Sequence, residues 1–375
     1  MPIQSADIVI VGGGVIGLSV ARALALKGVT NVLLVERASL GREASFAAAG
    51  MLAPQVEADK EDDFFHLASG SRDLYPAFAA ALFEETGVDV EFDTTGTLFL
   101  ALTTHDEEEM QKRYEWQTKA GLAVEKLSTA EACALEPCIS SNVRAVLRFP
   151  RDHQVENRRL ISALAIACER YGITTMTDTT VLSLRVKENT IEGVETSRGL
   201  VRAPIVVIAG GAWTNTIRGL PDIPIEPVRG QMLCLQSGPK MARHVIYSPR
   251  GYLVPRRDGR LLAGSTTEWT GFDKTVSAAG MRAIRDNAIE ISPLVPALPV
   301  VDSWAGLRPR AADNLPVLGP CGEIEGLVYA TGHYRNGILL APITGELIAR
   351  TITDKVLPPL LSAFSANRFG LVPVS

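Results

Sequence analysis

The sequence predicts an α/β protein with two domains, one built around a parallel sheet from separated segments and the other an α+β domain with an antiparallel sheet. Three observations lead to this fold class. The chain has 375 residues, more than a single hydrophobic core usually holds. Residues 7–36 read as strand, glycine-rich turn, helix and strand, and residues 327–351 read as a second strand, turn and helix. Because these units lie at opposite ends of the chain, we assign the first domain to residues 1–85, 146–222 and 322–375, and the second to residues 86–145 and 223–321.

The N-terminal unit begins with the apolar run DIVIV at residues 7–11, which is typical of a buried parallel strand. The turn GGGVIG follows at residues 12–17, and residues 18–27 carry helix-forming side chains before Gly28. A second apolar run at residues 32–35 ends in a glutamate. This order predicts a parallel strand–helix–strand unit.

The glycine spacing Gly12-x-Gly14-x-x-Gly17 has a physical reason in dinucleotide binding. Gly12 permits a sharp turn, Gly14 lets backbone approach a pyrophosphate, and Gly17 lets helix and strand pack closely. The helix N-terminus adds free N–H groups and a positive dipole end. Glu36 follows about twenty residues later, where a carboxylate accepts from ribose hydroxyls and repels a 2′-phosphate. The unit therefore predicts a Rossmann-like dinucleotide-binding domain and leaves NAD and FAD open.

Two later segments bear on the choice of cofactor. Residues 41–55 (GREASFAAAGMLAPQ) are rich in small side chains, which permit close contact with a flat ring and favour FAD. The same residues fit the start of an alanine-rich helix equally well. The apolar strand at residues 204–209 ends in Gly210, Gly211, Ala212 and Trp213, which brings backbone near a cofactor or forms an ordinary turn.

The rest of the chain adds elements in order. We expect helices at residues 64–86, 105–120, 155–171 and 338–351, and strands at 96–102, 181–186, 191–195 and 327–330. Asp258-Gly259 predicts a hairpin within residues 252–264, and Pro342 suits only the first turn of a helix. The N-terminus of the last helix would stabilise negative charge on a reduced flavin. Arg308 stands in the apolar stretch WAGLRP, although most arginines are simply solvated.

Composition and charge exclude several classes of protein. The net charge of −5 argues against a nucleic-acid binder. No apolar run reaches the roughly 18 residues that span a bilayer, and the N-terminus lacks the basic flank of a signal peptide. Five cysteines without a Cys-x-x-Cys pair are typical of free thiols in the cytoplasm. The five histidines lack metal-site spacing, so we expect no metal.

Five stretches together resemble the D-amino-acid oxidase superfamily of flavoproteins, and within it the glycine oxidases of thiamine biosynthesis. They are VIVGGGVIG at 9–17, AAAGMLAPQ at 47–55, YLVPRRDGRLLAGST at 252–266, WAGLRPRAADNLPVLG at 304–319 and GHYRNGILLAP at 332–342. The last two are the most specific. The related monomeric sarcosine oxidases attach flavin through a cysteine near GLRP, and residues 300–312 contain none. The resemblance therefore implies FAD held without a covalent bond.

The resemblance also implies a role for each matching position. Arg308 would hold the substrate carboxylate, Tyr252 would assist it, Arg335 would stand close by as a second positive group, and Met51 would lie near the substrate. Ala44 replaces a hydroxylated residue of the family, which removes one cofactor hydrogen bond. The implied cofactor contacts comprise Val15, Ile16, Glu36, Arg37, Ala44, Ser45, Ala49, Gly50, Met51, Val181, His333, Tyr334, Arg335, Asn336, Gly337, Ile338 and Leu339, beside the motif glycines, Gly210 and Trp213.

The activity that the resemblance implies is oxidation of glycine, sarcosine or D-alanine by hydride transfer to FAD, with O2 as acceptor. The products would be an imine or glyoxylate, ammonia and H2O2, with a role in thiazole synthesis, and the family suggests a homotetramer. No catalytic base stands out, so we expect a neutral amine to react and activity to rise toward alkaline pH. One alternative is a D-amino-acid dehydrogenase that uses a quinone or another acceptor. A second is a non-catalytic FAD- or NAD-binding module.

Overall fold

The computed structural model describes residues 4–237 and 241–370. Residues 1–3, 238–240 and 371–375 of the predicted domain segments lie outside the described residues. The described strands are β1 (Gln4–Ser5), β2 (Ile8–Val11), β3 (Val32–Val35), β4 (Met51–Leu52), β5 (Thr97–Ala101), β6 (Glu125–Leu127), β7 (Ala145–Phe149), β8 (His153–Gln154), β9 (Thr174–Met176), β10 (Val181–Lys187), β11 (Thr190–Thr196), β12 (Gly199–Arg202), β13 (Ile205–Ile208), β14 (Ile225–Gln236), β15 (Val245–Ser248), β16 (Gly251–Pro255), β17 (Arg260–Gly264), β18 (Val300–Ala311), β19 (Val317–Pro320) and β20 (Leu327–Thr331). The α-helices are α1 (Val15–Leu26), α2 (Ala44–Ala47), α3 (Pro54–Glu57), α4 (Asp63–Thr86), α5 (Thr104–Lys119), α6 (Thr129–Leu135), α7 (Asn157–Arg170), α8 (Ala278–Ile291) and α9 (Gly337–Thr353). Short 3₁₀ helices cover Gly211–Thr216, Val295–Ala297, Pro359–Phe364 and Ala366–Phe369.

A six-stranded sheet carries the glycine turn, in the order β19-β20-β13-β2-β3-β9. All neighbouring strands are parallel except β19, which runs antiparallel to β20. Ile8 and Ile10 face the helices α1, α4, α7 and α9, whereas Val9 and Val11 face a second, four-stranded sheet of the order β1-β12-β11-β10. Burial on both faces explains why β2 is an unbroken apolar run.

An eight-stranded sheet forms the second part of the molecule, in the order β18-β14-β17-β16-β15-β5-β7-β6. Its pairs are antiparallel except β5 with β15. The long strands β14 and β18 pair with Val228 opposite Arg308 and Gly230 opposite Gly306. The predicted α/β fold class, with a parallel sheet and an antiparallel-sheet α+β part, is confirmed.

The predicted domain segments divide these sheets with two exceptions. Strand β7 pairs with β5 and β6, so a boundary between residues 145 and 146 would cut a strand of the eight-stranded sheet. Strand β19 pairs with β20 in the six-stranded sheet, although residues 223–321 were assigned to the other domain. The division into two domains stays a prediction.

Helix α9 differs from its prediction, because Pro342 lies beyond its first turn. A proline there has no N–H for the carbonyl four residues earlier, here Ile338. The hydroxyl of Tyr75 donates to the Ile338 carbonyl, and Ser71 Oγ donates to the Leu339 carbonyl at 2.6 Å. Helix α4 therefore satisfies the Ile338 carbonyl that the proline leaves free and donates a second hydrogen bond to the neighbouring Leu339 carbonyl.

Among the described helices, none is both long and apolar enough to cross a bilayer. The described residues also contain no cluster of three or more His, Cys, Asp or Glu side chains that could bind a metal. All five cysteines are free thiols.

Candidate active site

One elongated cavity connects the glycine turn of the six-stranded sheet with the face of the eight-stranded sheet. Of the predicted site residues, Gly17 and Leu339 do not line it: Gly17 lies behind the glycine turn, and Leu339 is 2% exposed in the core. The others line it together: Gly12, Gly14, Val15, Ile16, Glu36, Arg37, Ala44, Ser45, Ala49, Gly50, Met51, Val181, Gly210, Trp213, Tyr252, Arg308, His333, Tyr334, Arg335, Asn336, Gly337 and Ile338.

The glycine turn has no room for side chains at two positions. A Cβ atom on Gly12 would lie 2.4 Å from the Ala209 carbonyl oxygen, and its φ of +108° disfavours other residues. A Cβ atom on Gly17 would lie 1.9 Å from the Gly12 carbonyl oxygen, so Gly17 sets the approach of α1 to β2. Helix α1 begins at Val15, and the Val15 N–H donates to Ser45 Oγ at 3.0 Å. The turn therefore presents backbone and a helix N-terminus to the cavity.

Glu36 lies at the end of β3, where the cavity meets the N-terminal unit. Its carboxylate accepts from the Gly13 N–H at 2.7 Å and from the Ala38 N–H at 3.0 Å, which fixes its orientation. Nearby, the Arg37 guanidinium stacks on the Trp213 ring at 3.6 Å from the centroid. This end thus has an oriented carboxylate and a flat, positively charged platform suited to an adenosine group.

Residues 44–52 form the middle wall of the cavity. The Gly50 carbonyl accepts from the Val155 N–H at 2.9 Å, and β4 pairs with β8. A Cβ atom on Gly50 would lie 2.1 Å from the Val155 carbonyl oxygen. Behind the wall, the buried Arg256 donates to the Ala49 carbonyl at 2.7 Å. The wall is therefore backbone held from outside, and apart from Met51 the side chains that it presents to the cavity are small.

The first turn of α9 forms another wall of the cavity. Residues 336–338 line the cavity, and the first N–H groups of a helix have no partner within it. His333 precedes this turn and is 4% exposed, with Nε2 3.1 Å from Thr344 Oγ1. Burial lowers the pKa of His333 to about 3, so the ring is neutral. The positive end of the α9 dipole is the electrostatic feature of this wall.

Arg308 lies at the far end, on β18. Its Nη1 donates to the Thr266 carbonyl at 3.0 Å and its Nη2 donates to Ser265 Oγ at 2.7 Å. Burial lowers the pKa of Arg308, and no described carboxylate lies within the 4.0 Å limit of an ion pair with it. A Cβ atom on Gly230 would lie 2.2 Å from the guanidinium nitrogens. Arg308 is thus an oriented cation with donors left for an anion.

Tyr252 of the eight-stranded sheet lies near Arg308 and packs against Tyr247, a second tyrosine of the same sheet. The Tyr252 hydroxyl donates to Met232 Sδ at 3.3 Å, and the rings of Tyr247 and Tyr252 stack with centroids 6.5 Å apart. Met51, Met232 and Tyr252 all line the cavity. The space beside the cation is therefore bounded by bulky, mostly apolar side chains.

Sequence reasoning missed Glu57, the carboxylate of this end. Arg335 Nη2 donates to Glu57 Oε1 at 2.7 Å and lies 3.5 Å from the Tyr247 hydroxyl oxygen. The negative charge of Glu57 raises the pKa of Arg335, and burial raises the pKa of Tyr247 to about 12. The AAAGMLAPQ stretch stops two residues before Glu57, so its pattern did not signal this residue.

Gly230, Met232 and Ser265 also line the cavity without having been predicted. Gly230 carried one signal, since a glycine inside a strand often marks a close approach. Met232 and Ser265 stand in apolar or small-residue runs and carried none. Taken together, the glycine turn, the platform at Arg37 and the α9 N-terminus fit an FAD molecule, and the same cavity contains Arg308 and Arg335.

The comparisons with known proteins agree with this fit. Residues 7–351 match the model of the family described as DAO, FAD dependent oxidoreductase. A glycine oxidase of Pseudomonas aeruginosa is 35% identical over 356 residues, covering 94% of this chain and 96% of that protein. A bifunctional protein ThiO/ThiG of Trichormus variabilis is 37% identical over 97% of this chain, which spans 55% of that longer protein.

Among solved structures, the crystal structure of glycine oxidase from Geobacillus kaustophilus superposes with a TM-score of 0.93 at 34% identity. The superposition covers 97% of this chain and 99% of the Geobacillus kaustophilus chain. The predicted FAD cofactor and enzyme class are confirmed. The chain therefore belongs to the DAO family of FAD-dependent oxidoreductases.

Proposed function

We propose that the protein oxidises a small amino acid, such as glycine, sarcosine or D-alanine, at the Arg308 end of the cavity. The observation that carries this proposal is Arg308 itself, a cation without a described carboxylate partner in the cavity that also contains the glycine turn. With O2 as the acceptor, glycine, O2 and water would give glyoxylate, ammonia and H2O2. The similarity to glycine oxidases supports glycine as the first substrate to test.

Arg308 positions the substrate in this proposal. Its bonds to Thr266 and Ser265 hold the guanidinium plane, and the remaining N–H groups bind the substrate carboxylate. A charge-assisted hydrogen bond of this kind contributes about 1.5–3 kcal/mol. FAD, when bound, supplies the acceptor for the two electrons that leave the substrate.

No described side chain of the substrate end is a ready proton acceptor. His333 is neutral but buried with its Nε2 next to Thr344, Glu57 is paired with Arg335, and the pKa of Tyr247 stands at about 12. The substrate amine must then arrive neutral, because the nitrogen lone pair forms the new C=N bond. We expect kcat/KM to rise with pH as the free amine becomes more abundant.

The substrate end favours small side chains in this proposal. Met51, Met232 and Tyr252 line the same cavity as Arg308, and in this proposal their bulk limits the size of the substrate side chain. A methylene in such a pocket changes kcat/KM by roughly ten- to two-hundredfold. We therefore expect glycine, sarcosine and D-alanine to react faster than D-valine or D-phenylalanine.

The test is to add each of a panel of amino acids to the FAD-loaded enzyme without air and to measure the absorbance near the flavin maximum. Bleaching by glycine, sarcosine or D-alanine supports the proposed small amino-acid substrate, and absence of bleaching by all three would contradict it. Denaturation followed by filtration tests whether FAD is held without a covalent bond, because a non-covalent flavin then passes through the filter.

The runner-up is a D-amino-acid dehydrogenase, which needs the same cavity and the same role for Arg308. Reoxidation separates the two, because an oxidase consumes O2 and forms one H2O2 per imine whereas a dehydrogenase requires a quinone or dye. A role in thiazole synthesis draws support from the similarity to the bifunctional ThiO/ThiG protein. The cytoplasmic location and the homotetramer stay predictions.

A further inference from the structure

The two arginines of the substrate end differ in charge balance. Arg335 is paired with Glu57 at 2.7 Å, whereas Arg308 donates only to the neutral oxygens of Thr266 and Ser265. Two guanidinium groups and one carboxylate leave a net charge of one positive unit among these three side chains. One substrate carboxylate neutralises that charge, and a second would meet the Glu57 carboxylate.

We propose that Glu57, held in place by a buried cluster around Asp152, makes the site selective for substrates with a single carboxylate. This proposal rests on the proposed function of Arg308 as the carboxylate-binding residue. Glu57 acts by cancelling the charge of Arg335, which would otherwise attract a second acidic group. At separations of about 4 Å, a second carboxylate would be attracted by an unpaired Arg335 but gains no net attraction from the neutral Arg335–Glu57 pair.

Glu57 depends on support from outside the cavity, because α3 is a single turn and one turn does not hold itself in water. The carboxylate of Asp152 supplies that support. Its Oδ1 accepts from the Gln55 N–H at 3.2 Å and its Oδ2 accepts from the Val56 N–H at 2.8 Å. Asp152 is 0% exposed and does not line the cavity.

Three further side chains complete the cluster, and they come from α3, α4 and α5. Arg72 Nη1 donates to Gln55 Oε1 at 2.8 Å and lies 3.7 Å from Asp152 Oδ1. Gln55 Nε2 donates to Gln117 Oε1 at 3.0 Å, and Gln117 Nε2 donates to the Gln55 carbonyl at 2.8 Å. All four side chains are buried. Asp152, Arg72 and Gln117 are therefore positioning residues that act through α3 on Glu57.

Burial raises the pKa of Asp152 to about 7, against the opposing effects of the Val56 N–H, Arg72 and the Gln55 N–H. Glu57 is the other carboxylate that faces it, and Arg72 is paired in turn with Asp73. Binding experiments therefore belong at pH 8.5, where Asp152 is ionised.

The first test compares Glu57→Gln with the parent, both loaded with FAD. The probes are acetate, with one carboxylate, and malonate, with two, and calorimetry gives their dissociation constants. We expect Glu57→Gln to strengthen malonate binding relative to acetate binding, so that the malonate-to-acetate ratio of dissociation constants falls about tenfold. The control is Glu107→Gln, which removes one carboxylate from an exposed pair with Arg144 outside the cavity. An unchanged malonate-to-acetate ratio in Glu57→Gln would overturn the proposal.

The second test asks whether Asp152 acts through Glu57. In Asp152→Asn the side-chain amide N–H faces the backbone N–H of Gln55 or Val56, so one hydrogen bond that holds α3 is lost. The residues that line the cavity stay the same. We expect the malonate-to-acetate ratio to shift in the same direction by about threefold. In the Glu57→Gln background, Asp152→Asn should leave the ratio where Glu57→Gln put it. A further shift there would show that Asp152 acts elsewhere.

Gln117→Leu serves as the substitute if Asp152→Asn does not fold, because it weakens the same cluster from α5. A loss of thermal stability without a change in the ratio would mark the cluster as purely structural and overturn its positioning role. Failure of the proposed function has a different signature. In that case acetate binds equally well to the parent and to Arg308→Ala, whatever happens at Glu57.

Discussion

The two ends of the cavity are built by different means. At the end with the glycine turn, residues 12–16 present backbone and the N-terminus of α1 to the cavity from one contiguous stretch. The substrate end is made of side chains that come from α3, β16, β18 and the turn before α9. Backbone dipoles dominate the glycine turn of the first end, whereas charged side chains dominate the second. A local sequence pattern can therefore specify the first end, whereas the second exists only after distant segments have paired.

The largest expected effect lies at the backbone end. Gly17→Ala places a Cβ atom 1.9 Å from the Gly12 carbonyl oxygen, so α1 must move away from β2. Overpacking of this kind costs about 3 kcal/mol, and we expect FAD affinity to fall by at least a hundredfold. The measurement is titration of apoprotein with FAD by flavin fluorescence.

The matched control for Gly17 is Gly70→Ala in helix α4, where the new Cβ atom meets only Ile343 Cδ1 at 3.4 Å. Alanine favours the helix over glycine by about 0.5–1 kcal/mol, so this variant should bind FAD as the parent does. If Gly17→Ala also binds FAD normally, the backbone end tolerates side chains, and the contrast between the two ends fails.

The second effect lies at the side-chain end. Arg308→Ala should lower kcat/KM for glycine by roughly tenfold to several hundredfold, because the carboxylate loses its charged donor. The FAD spectrum should stay that of the parent. Arg310→Ala is the control, since Arg310 lies on the same strand but pairs with Glu226 outside the cavity. A near-normal kcat/KM in Arg308→Ala would contradict the assignment of the carboxylate to this residue.

The difference between the two ends of the cavity decides how much of the site the sequence can predict. The glycine motif predicted β2, α1 and β3 within a few residues, because strand, turn and helix are contiguous. Arg308 was placed at the substrate end by resemblance alone, and its bonds to Thr266 and Ser265 depend on the irregular segment that follows β17. Glu57 had no signal, because its partner Arg335 is far away in the chain. Pairings of that range depend on topology rather than on local pattern.

Gly230→Ala should give a smaller effect and sharpen the link between strand pairing and site. The new Cβ atom would lie 2.2 Å from the Arg308 guanidinium nitrogens, so the guanidinium must leave the position in which it bonds Ser265 Oγ. We expect substrate affinity to fall about tenfold with FAD binding retained, measured as the glycine dependence of anaerobic flavin reduction. In the Arg308→Ala background the substitution should add nothing. An additive loss would mean that Gly230 acts on the strand rather than on the arginine.

The smallest effect concerns His333, where the turn before α9 joins the two ends. Burial lowers the pKa of His333 to about 3, whereas an unfolded histidine titrates near 6.5. Below pH 6.5, His333 binds a proton in the unfolded chain but not in the folded chain. The free energy of unfolding therefore falls as the pH drops toward 3. His333→Gln keeps a polar group toward Thr344 Oγ1 and removes this proton. When the pH is lowered from 6.5 to 5, the free energy of unfolding should fall by about 1–2 kcal/mol less in His333→Gln than in the parent.

Urea unfolding of the FAD-saturated proteins at both pH values measures this difference. His153, whose pKa burial lowers to about 4, contributes equally to parent and variant and cancels. The control is His105→Gln, an exposed histidine of α5 that should leave the pH dependence unchanged. Equal losses in His333→Gln and the parent would mean that His333 takes up a proton in the folded state. The α9 wall would then carry a formal charge, and the distinction between a dipolar end and a charged end would not hold at the point where they meet.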